Sequence, residues 1–187
     1  MDKKMQALDL LLNRSSEPRL QAPAPQGQTL ENIKQAALRA PDHACLSPWK
    51  FIVCQNQGLV RLGKVFEQAA IAANKSEKEI ERAPQLPLRA PMLMVAIAKF
   101  SEHDKVPWIE QVASASCAVH AMQMAAVAQG FTGVWRTGSF AQDPTVKLAF
   151  DLSEQDEIVG FLYLGSSAVT RPAKLKKDSA EFFEHWD

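Results

Sequence analysis

Three of the arginines stand at or near the predicted ends of structural elements. Arg14 precedes the serine pair 15–16, Arg39 ends a predicted helix, and Arg136 precedes Thr137. A guanidinium group presents a planar fork of donors, and neighbouring hydroxyls and backbone amides complete a surface that matches a phosphate. The pattern predicts an anion site if folding brings the arginines together. Taken alone, each arginine is more typical of an ordinary surface or salt-bridging residue.

His43 and Cys45 form a second candidate pair, two residues apart in a loop bracketed by prolines. An imidazole beside a thiol could generate a thiolate nucleophile, or both groups could ligate a metal. The histidines at 103, 120 and 185 show no ligand spacing, which disfavours a metal. The alternative is structural, with Cys45 as a small packing residue and His43 as a loop contact. Cys54 and Cys117 lie in apolar segments and are predicted to pack in the core.

Several common catalytic signatures are missing from the sequence. It contains no GxGxxG turn after a predicted strand, no GxxxxGK(S/T), no GxSxG and no HExxH. These motifs mark the usual dinucleotide turn, the P-loop, the serine-hydrolase elbow and the zinc-protease helix. Any covalent, metal or cofactor chemistry must therefore rest on weaker constellations of residues.

The composition is that of a globular domain without a charge excess. The 187 residues are 47% hydrophobic and 22% charged, and 21 basic residues balance 21 acidic ones. A nucleic-acid-binding protein usually carries a basic excess, so that class is disfavoured. No uninterrupted apolar run is long enough to cross a membrane, and three cysteines without a CxxC pair argue against a disulfide framework. These features predict a cytoplasmic protein.

Apolar periodicity and the positions of proline and glycine divide the chain into helices and strands. Strands are predicted at 49–54, 92–98, 131–136 and 157–164. Helices are predicted at 1–13, 29–40, from 58 onward, 107–129 and 144–150. The order predicts an α+β fold, a single domain over 1–187 in which helices pack around a mixed sheet of about four strands.

Two of these segments carry a stronger prediction. The run 92–98 is apolar at every position, which favours a strand buried on both faces. The helix 107–129 is apolar on nearly every side from Val119 to Ala128, and Gly130 follows it as a glycine cap. Such a helix is buried in a domain core or in a subunit interface, and a homodimer is predicted.

Five segments of the chain, taken together, resemble the flavin-dependent nitroreductase family, and in particular its small single-domain bacterial members. They are LDLLLNRSS (8–16), LRAPDHACLSPWKFIV (38–53), HDKVPWIEQ (103–111), CAVHAMQMAAVAQGFTGVWRTG (117–138) and EQDEIVGFLYLG (154–165). The five segments are specific for this family in combination, and no single short motif among them would be enough to indicate the resemblance. The resemblance covers residues 5–166, and the tail 166–187 matches poorly.

The resemblance implies a homodimer of α+β subunits, with one FMN in each of two sites at the subunit interface. The family's flavin contacts fall on one subunit at Arg14, Ser15, Ser16, Trp135, Arg136 and Thr137, and on the partner subunit at Arg39 and His43. The family's NAD(P)H segment falls on Ala125, Ala126, Val127, Ala128, Gln129 and Gly130. Three positions depart from the family pattern: Ser15 replaces an arginine, Cys45 an asparagine and Ser47 a glutamine.

The resemblance also implies a reaction. NADH or NADPH delivers a hydride to FMN and leaves, and an electron-poor acceptor such as a nitro compound or a quinone takes its place in a ping-pong sequence. Because the flavin carries the chemistry, no catalytic side chain is required. Two alternatives remain open: a cysteine-dependent hydrolase or acyl transferase that uses Cys45 and His43, and a non-catalytic flavin carrier or sensor.

Overall fold

The computed structural model describes residues 7–167, 169 and 177–186. Its helices are α1 (Ala7–Asn13), α2 (Gly27–Ala37), α3 (Gln57–Ala72), α4 (Glu77–Arg82), α5 (Trp108–Ala128) and α6 (Pro144–Ala149). Its strands are β1 (Leu20–Gln21), β2 (Trp49–Gln55), β3 (Met92–Ala98), β4 (Thr132–Arg136) and β5 (Glu157–Ser167). The predicted α+β class is confirmed. The start of the predicted first helix and much of the tail lie outside the described residues.

The strands join one antiparallel sheet. Its order is β1-β5-β3-β2, and β4 pairs with β5 beside this path. Every pairing among the described strands is antiparallel. The expected mixed sheet of about four strands is therefore corrected to an antiparallel sheet of five. The additional strand is β1, whose two residues are too few to show a period-two pattern within a proline-rich loop.

Strand β3 lies between β2 and β5, and every residue of β3 is buried. Leu93 and Val95 belong to a core shared with α3 and α6, whereas Met92 and Met94 belong to a second core shared with α2 and α5. Alternate side chains of a strand point to opposite faces of its sheet. The predicted strand buried on both faces is thus confirmed, and the sheet lies between two helical layers.

Helix α5 packs one side on the sheet and leaves the other side exposed. Val119 and Met122 are buried against the sheet, whereas Cys117 and His120 lie on the outer face. The prediction that Cys117 packs in the core is therefore wrong, and the same prediction for Cys54 is confirmed. No helix in the described residues, α5 included, combines the length and apolar character needed to span a membrane.

Strand β5 carries a bulge that lets β4 approach closely. The register of β5 against β3 shifts there, so that Val159 is the extra residue. The carbonyl of Val159 accepts a hydrogen bond from the indole N–H of Trp135 at 3.0 Å. Gly160 has a φ of 146°, and a Cβ there would collide with the indole and lie 2.7 Å from the carbonyl oxygen of Arg136. Only glycine suits this position, because it tolerates the positive φ and leaves space for the indole.

Replacing Gly160 by alanine is expected to lower the free energy of unfolding by about 1–3 kcal/mol, because the added methyl group must displace Trp135 or the adjacent backbone. Urea denaturation followed by tryptophan fluorescence measures this change. Gly58→Ala is the matched control: the nearest atom to a Cβ there is 3.7 Å away, so stability should not fall. Equal stability of Gly160→Ala and the unaltered protein would contradict the close approach of β4 and β5.

Candidate functional site

The loop after α1 is tied to β4 through a single carbonyl group. The carbonyl oxygen of Gly133 accepts hydrogen bonds from the backbone N–H of Glu17 and from the buried side chain of Gln123, each at 3.0 Å. A Cβ on Gly133 would run into the backbone of β5. The predicted residues 14–16 therefore lie beside the strand that ends at Arg136, roughly 10 Å further along from Gly133.

Arg14 and Ser16 are in contact within this loop. One guanidinium nitrogen of Arg14 donates a hydrogen bond to the hydroxyl of Ser16 at 3.4 Å. Arg14, Ser15 and Ser16 are all half-buried. Because a hydrogen bond of this length is weak, most of the donor capacity of the Arg14 guanidinium remains for a ligand.

A cleft of about 530 Å³ opens between the end of β4 and the connection from α3 to β3. The predicted group 135–137 lines this cleft, so the structure brings these residues together. The floor of the cleft is aromatic: Phe66 and Phe140 stack with their ring centroids 4.3 Å apart, and Phe161 meets Phe66 edge-on at 5.2 Å. We refer to this site as the arginine cleft.

The arginine cleft carries an excess of positive charge. Its cationic lining residues are Lys75, Arg82, Arg89 and Arg136. Within the described residues, none of them forms an ion pair. The acidic lining residue Glu79 is engaged elsewhere, because its carboxylate accepts hydrogen bonds from the hydroxyl and the backbone N–H of Ser76 at 2.6 and 3.1 Å. A partly enclosed site with an excess of one charge sign attracts ligands of the opposite sign.

Tyr163 contributes a polar group to the wall that β5 forms. The residue is 4% exposed, and its hydroxyl has no hydrogen-bond partner among the described residues. Burial raises the pKa of this phenol, and the guanidinium groups of Arg89 and Arg136 offset part of that rise. The phenol is therefore protonated at neutral pH, with two cations close to it.

A second cleft, of about 690 Å³, shares the turn 137–139 with the arginine cleft. Trp108, Val112 and Ser116 of α5 line this second cleft. Gly138 has a φ of 70°, and a Cβ at this position would meet no atom within 4 Å. The turn after β4 thus presents its backbone to open space between the two clefts.

Arg39 and His43 lie away from both clefts and line neither of them. The Nδ1 atom of His43 is 2.8 Å from a carboxylate oxygen of Glu110 on α5. Trp108 and Val112, which line the second cleft, each stand two positions from Glu110, and this spacing places them about 200° around the helix from it. A single chain therefore does not bring Arg39 and His43 to the arginine cleft.

The loop that holds Cys45 has a strained backbone. Ala44, Cys45 and Ser47 have positive φ values of 61°, 54° and 49°, and the carboxylate of Asp42 holds the loop by accepting two backbone N–H groups at 3.1 and 2.8 Å. Within the described residues the Cys45 thiol makes no hydrogen bond to His43, so the nucleophile and base of the cysteine hypothesis are not paired. Nor do three His, Cys, Asp or Glu side chains of the described part gather as metal ligands would.

The segment 125–130 forms the end of α5 and packs against α2. The side chain of Gln129 donates a hydrogen bond to the carbonyl of Thr29 at 3.3 Å and accepts one from Asn32 at 2.8 Å. Gly130 follows with a φ of 84°, and its N–H bonds to the last helical turn at 3.0 Å, which confirms the predicted glycine cap. The segment lines neither cleft, and its NAD(P)H role stays a prediction.

Sequence reasoning missed residues that complete the arginine cleft. Arg82 and Arg89 flank a proline-rich connection, and nothing in its composition shows that it forms the wall of a cleft. Lys75 belongs to a charged stretch that indicates only an exposed surface. The sequence did contain a signal for Tyr163, because it is the one phenol within the apolar, buried stretch 158–164 of β5.

The chain is an α+β protein with an antiparallel sheet between helical layers. A cationic and aromatic cleft lies at the end of its edge strand β4. The chain belongs to the nitroreductase family, whose sequence model matches residues 11–166. Members of this family are oxidoreductases, and the prediction that the chain is an enzyme of that class is confirmed.

Individual relatives agree with this membership. The chain is 53% identical over 162 residues to an Escherichia coli (strain K12) protein provisionally named NAD(P)H nitroreductase YdjA, and the match covers 87% of this chain and 88% of the relative. A solved nitroreductase-like protein from Bacillus cereus has a TM-score of 0.85 at 20% identity, covering 100% of this chain and 99% of that one. A nitroreductase from Bacteroides fragilis NCTC 9343 with bound FMN has a TM-score of 0.73 at 22% identity, covering 96% and 98%. These likenesses confirm the predicted family and fold.

Proposed function

We propose that this chain is an FMN-dependent oxidoreductase that uses NADH or NADPH to reduce electron-poor acceptors such as nitro compounds or quinones. The arginine cleft carries the proposal, because it combines an aromatic floor with several cations that form no ion pair within the described residues. The names of the relatives support it: the E. coli protein is named for NAD(P)H and nitro reduction, and the B. fragilis structure holds FMN.

The residues of the arginine cleft fit FMN. FMN combines a flat, largely apolar ring system with an anionic phosphate, so its site must offer both an aromatic surface and cations. The cleft offers both, and its volume of about 530 Å³ lies within the range of pockets that enclose small ligands. Arg14 and Ser16 add further donors on the loop beside β4.

Each predicted contact has a role in this assignment. Arg136 and Arg14 bind the phosphate, and Ser16 and Thr137 add hydrogen bonds beside them. Trp135 is a positioning residue: its indole is bonded to the bulge of β5, and this bond sets where the following residues leave the sheet. Charge-assisted hydrogen bonds of this kind are the strong ones in proteins, which is why the arginines dominate the expected affinity.

When bound, FMN supplies the redox chemistry, the exchange of two electrons between the nicotinamide nucleotide and the acceptor. The cations of the arginine cleft favour a negatively charged form of a bound group over its neutral form. The phenylalanine floor offers no hydrogen-bonding group on the inner side of the cleft, which suits a flat apolar ring. The exposed turn 137–139 presents hydroxyls and backbone amides as further donors. Use of NADH or NADPH agrees with the predicted cytoplasmic location.

We infer that the functional unit is a homodimer formed on the outer face of α5. Glu110, Ala113 and Cys117 are spaced three and four residues apart, so they share one face of the helix, and this face is exposed. The loop of His43 adjoins the same face through Glu110. A second copy that docks there would meet this loop, which supports the prediction that Arg39 and His43 serve the site of the partner subunit.

The purified protein tests the function directly. It is expected to be yellow, or to become yellow with FMN, and NADH or NADPH should bleach the flavin absorption under anaerobic conditions. A nitro compound or a quinone should then restore the colour. The Cys45→Ser variant should give the same result as the unaltered protein, because the thiol has no role in this reaction. Bound FMN that neither nucleotide bleaches would indicate a carrier or sensor, and a protein that takes up no FMN would contradict the proposal.

Arg136→Gln and Arg14→Gln test the cofactor site. Loss of one charge-assisted hydrogen bond costs about 1.5–3 kcal/mol, so each variant should bind FMN about ten- to a hundredfold more weakly. Quenching of flavin fluorescence measures the dissociation constant. Arg61→Gln is the matched control, because Arg61 lines a separate cleft beside β2 and should not affect FMN. If both site variants bind FMN as tightly as the control, the phosphate assignment is wrong.

Cys117→Arg tests the dimer. A charged side chain on the outer face of α5 would be buried without a partner at a helix–helix interface, so the variant should be monomeric at micromolar concentration in analytical ultracentrifugation. FMN binding should weaken in parallel if the two copies share their sites. Leu148→Arg introduces the same charge at an exposed apolar position on α6 and should stay dimeric. A monomeric unaltered protein would contradict the inference.

A further inference from the structure

The buried hydroxyl of Tyr163 is a feature that the assignments above leave unexplained. Between 158 and 164, β5 is apolar apart from this one residue, and a phenylalanine would fill the same space. Buried tyrosines normally find a hydrogen-bond partner. In the described residues, every side-chain polar atom that is fully covered has a hydrogen-bond partner. The Tyr163 hydroxyl has no partner there, so it is not fully covered. The hydroxyl must therefore open into the arginine cleft, whose wall it forms.

Two arginines from different elements line the same cleft as this hydroxyl. Arg89 stands in the turn before β3, and Arg136 stands at the end of β4. Burial raises the pKa of the Tyr163 phenol, and the charge of each arginine offsets part of that rise. Within the described residues, neither arginine side chain forms an ion pair or donates a hydrogen bond.

These groups form a set of donors without an acceptor. A guanidinium group has no acceptor atom, and a phenol that stays protonated has a hydrogen to donate. The nearby carboxylate of Glu79 is bonded to Ser76 instead. We propose that the hydroxyl of Tyr163, Arg89 and Arg136 form an oxyanion subsite in the arginine cleft, which takes the phosphate or carboxylate group of a bound ligand.

The proposed function is needed only to say which ligand carries the oxyanion; the subsite itself is inferred without it. The oxyanion can be the phosphate of FMN itself, or an anionic group on the second ligand, namely the nicotinamide nucleotide or the acceptor. The chemistry of recognition is the same in each case, because a phosphate and a carboxylate both accept charge-assisted hydrogen bonds from guanidinium and hydroxyl donors. Binding measurements can separate these sources.

Tyr163 is the only tyrosine of the chain, so a tyrosine probe reports on this position alone. Protein labelled with 3-fluorotyrosine should give a single fluorine NMR resonance. Inorganic phosphate should shift that resonance in a saturable way, and Arg89→Gln should weaken the apparent phosphate affinity by about tenfold or more. Arg61→Gln, which alters a different cleft, is the control and should leave the titration unchanged.

Tyr163→Phe distinguishes the two sources of the oxyanion. The substitution removes a hydroxyl without a partner among the described residues, so the melting temperature should not fall. If the phosphate of FMN occupies the subsite, the variant should bind FMN about ten- to a hundredfold more weakly, and should bind riboflavin, which has no phosphate, as before. If the second ligand occupies it, both flavins should bind as before. KM should then rise for 4-nitrobenzoate but not for nitrobenzene if the acceptor is bound there, for NADPH but not for NADH if the 2′-phosphate is bound there, and for both nucleotides if their diphosphate is bound there.

The outcomes keep the subsite and the proposed function apart. A phosphate-dependent shift that Arg89→Gln weakens, together with either pattern of binding, supports the subsite. An unshifted resonance, with unchanged FMN, NADPH and 4-nitrobenzoate parameters in Tyr163→Phe and Arg89→Gln, overturns the subsite and leaves flavin binding intact. A protein that takes up no flavin but keeps the phosphate shift retains the subsite and contradicts the proposed function.

Discussion

The close approach of β4 to β5 is the constraint on which the site depends. Gly133 and Gly160 remove the side chains that would hold these two strands apart, and the bulge at Val159 leaves a carbonyl group for the indole of Trp135. These contacts determine where β4 ends, and hence where Arg136 and the turn after it leave the sheet. The carbonyl of Gly133 also anchors the loop after α1 and a side chain of α5. A few backbone atoms therefore hold the loop after α1, the strand β4 and the helix α5 in place relative to one another.

Repulsion among the cations of the arginine cleft lowers the stability of the protein without a ligand. Like charges gathered without ion pairs repel, and the repulsion is largest where a low-dielectric wall reduces screening. All four cations are exposed, so solvent screens their charges. Arg89 and Arg136 differ from Lys75 and Arg82 because their charges also act on the buried phenol of Tyr163. An anionic ligand turns this repulsion into attraction, so binding and folding stability are linked. Such an arrangement is typical of sites where local stability is given up for function.

Sequence patterns predicted those parts of the fold whose signals are local. The apolar run of β3 and the glycine cap at Gly130 each depend on neighbours a few residues away, and both are confirmed. The direction of strand pairing is not encoded in an apolar pattern, which is why the sheet was expected to be mixed. In the candidate site, the position of Arg136 at a strand end was visible in the sequence. Its convergence with Arg89 and Tyr163 was not, because those residues come from other strands and connections that only folding brings together.

The predicted flavin contacts fall into two groups, which bears on how many chains form one site. Trp135, Arg136 and Thr137 line the arginine cleft, and the loop 14–16 lies beside their strand without lining the cleft. The other group, Arg39 and His43, adjoins the outer face of α5. A helix with its side chains is about 10 Å across, so no change of rotamer joins the two groups within one chain. The loop of His43 is also held in place by the carboxylate of Asp42, which stabilises its strained backbone. A strained loop that is kept rigid and faces away from its own cleft is accounted for if it contacts a second copy of the chain, which is the arrangement that the proposed dimer supplies.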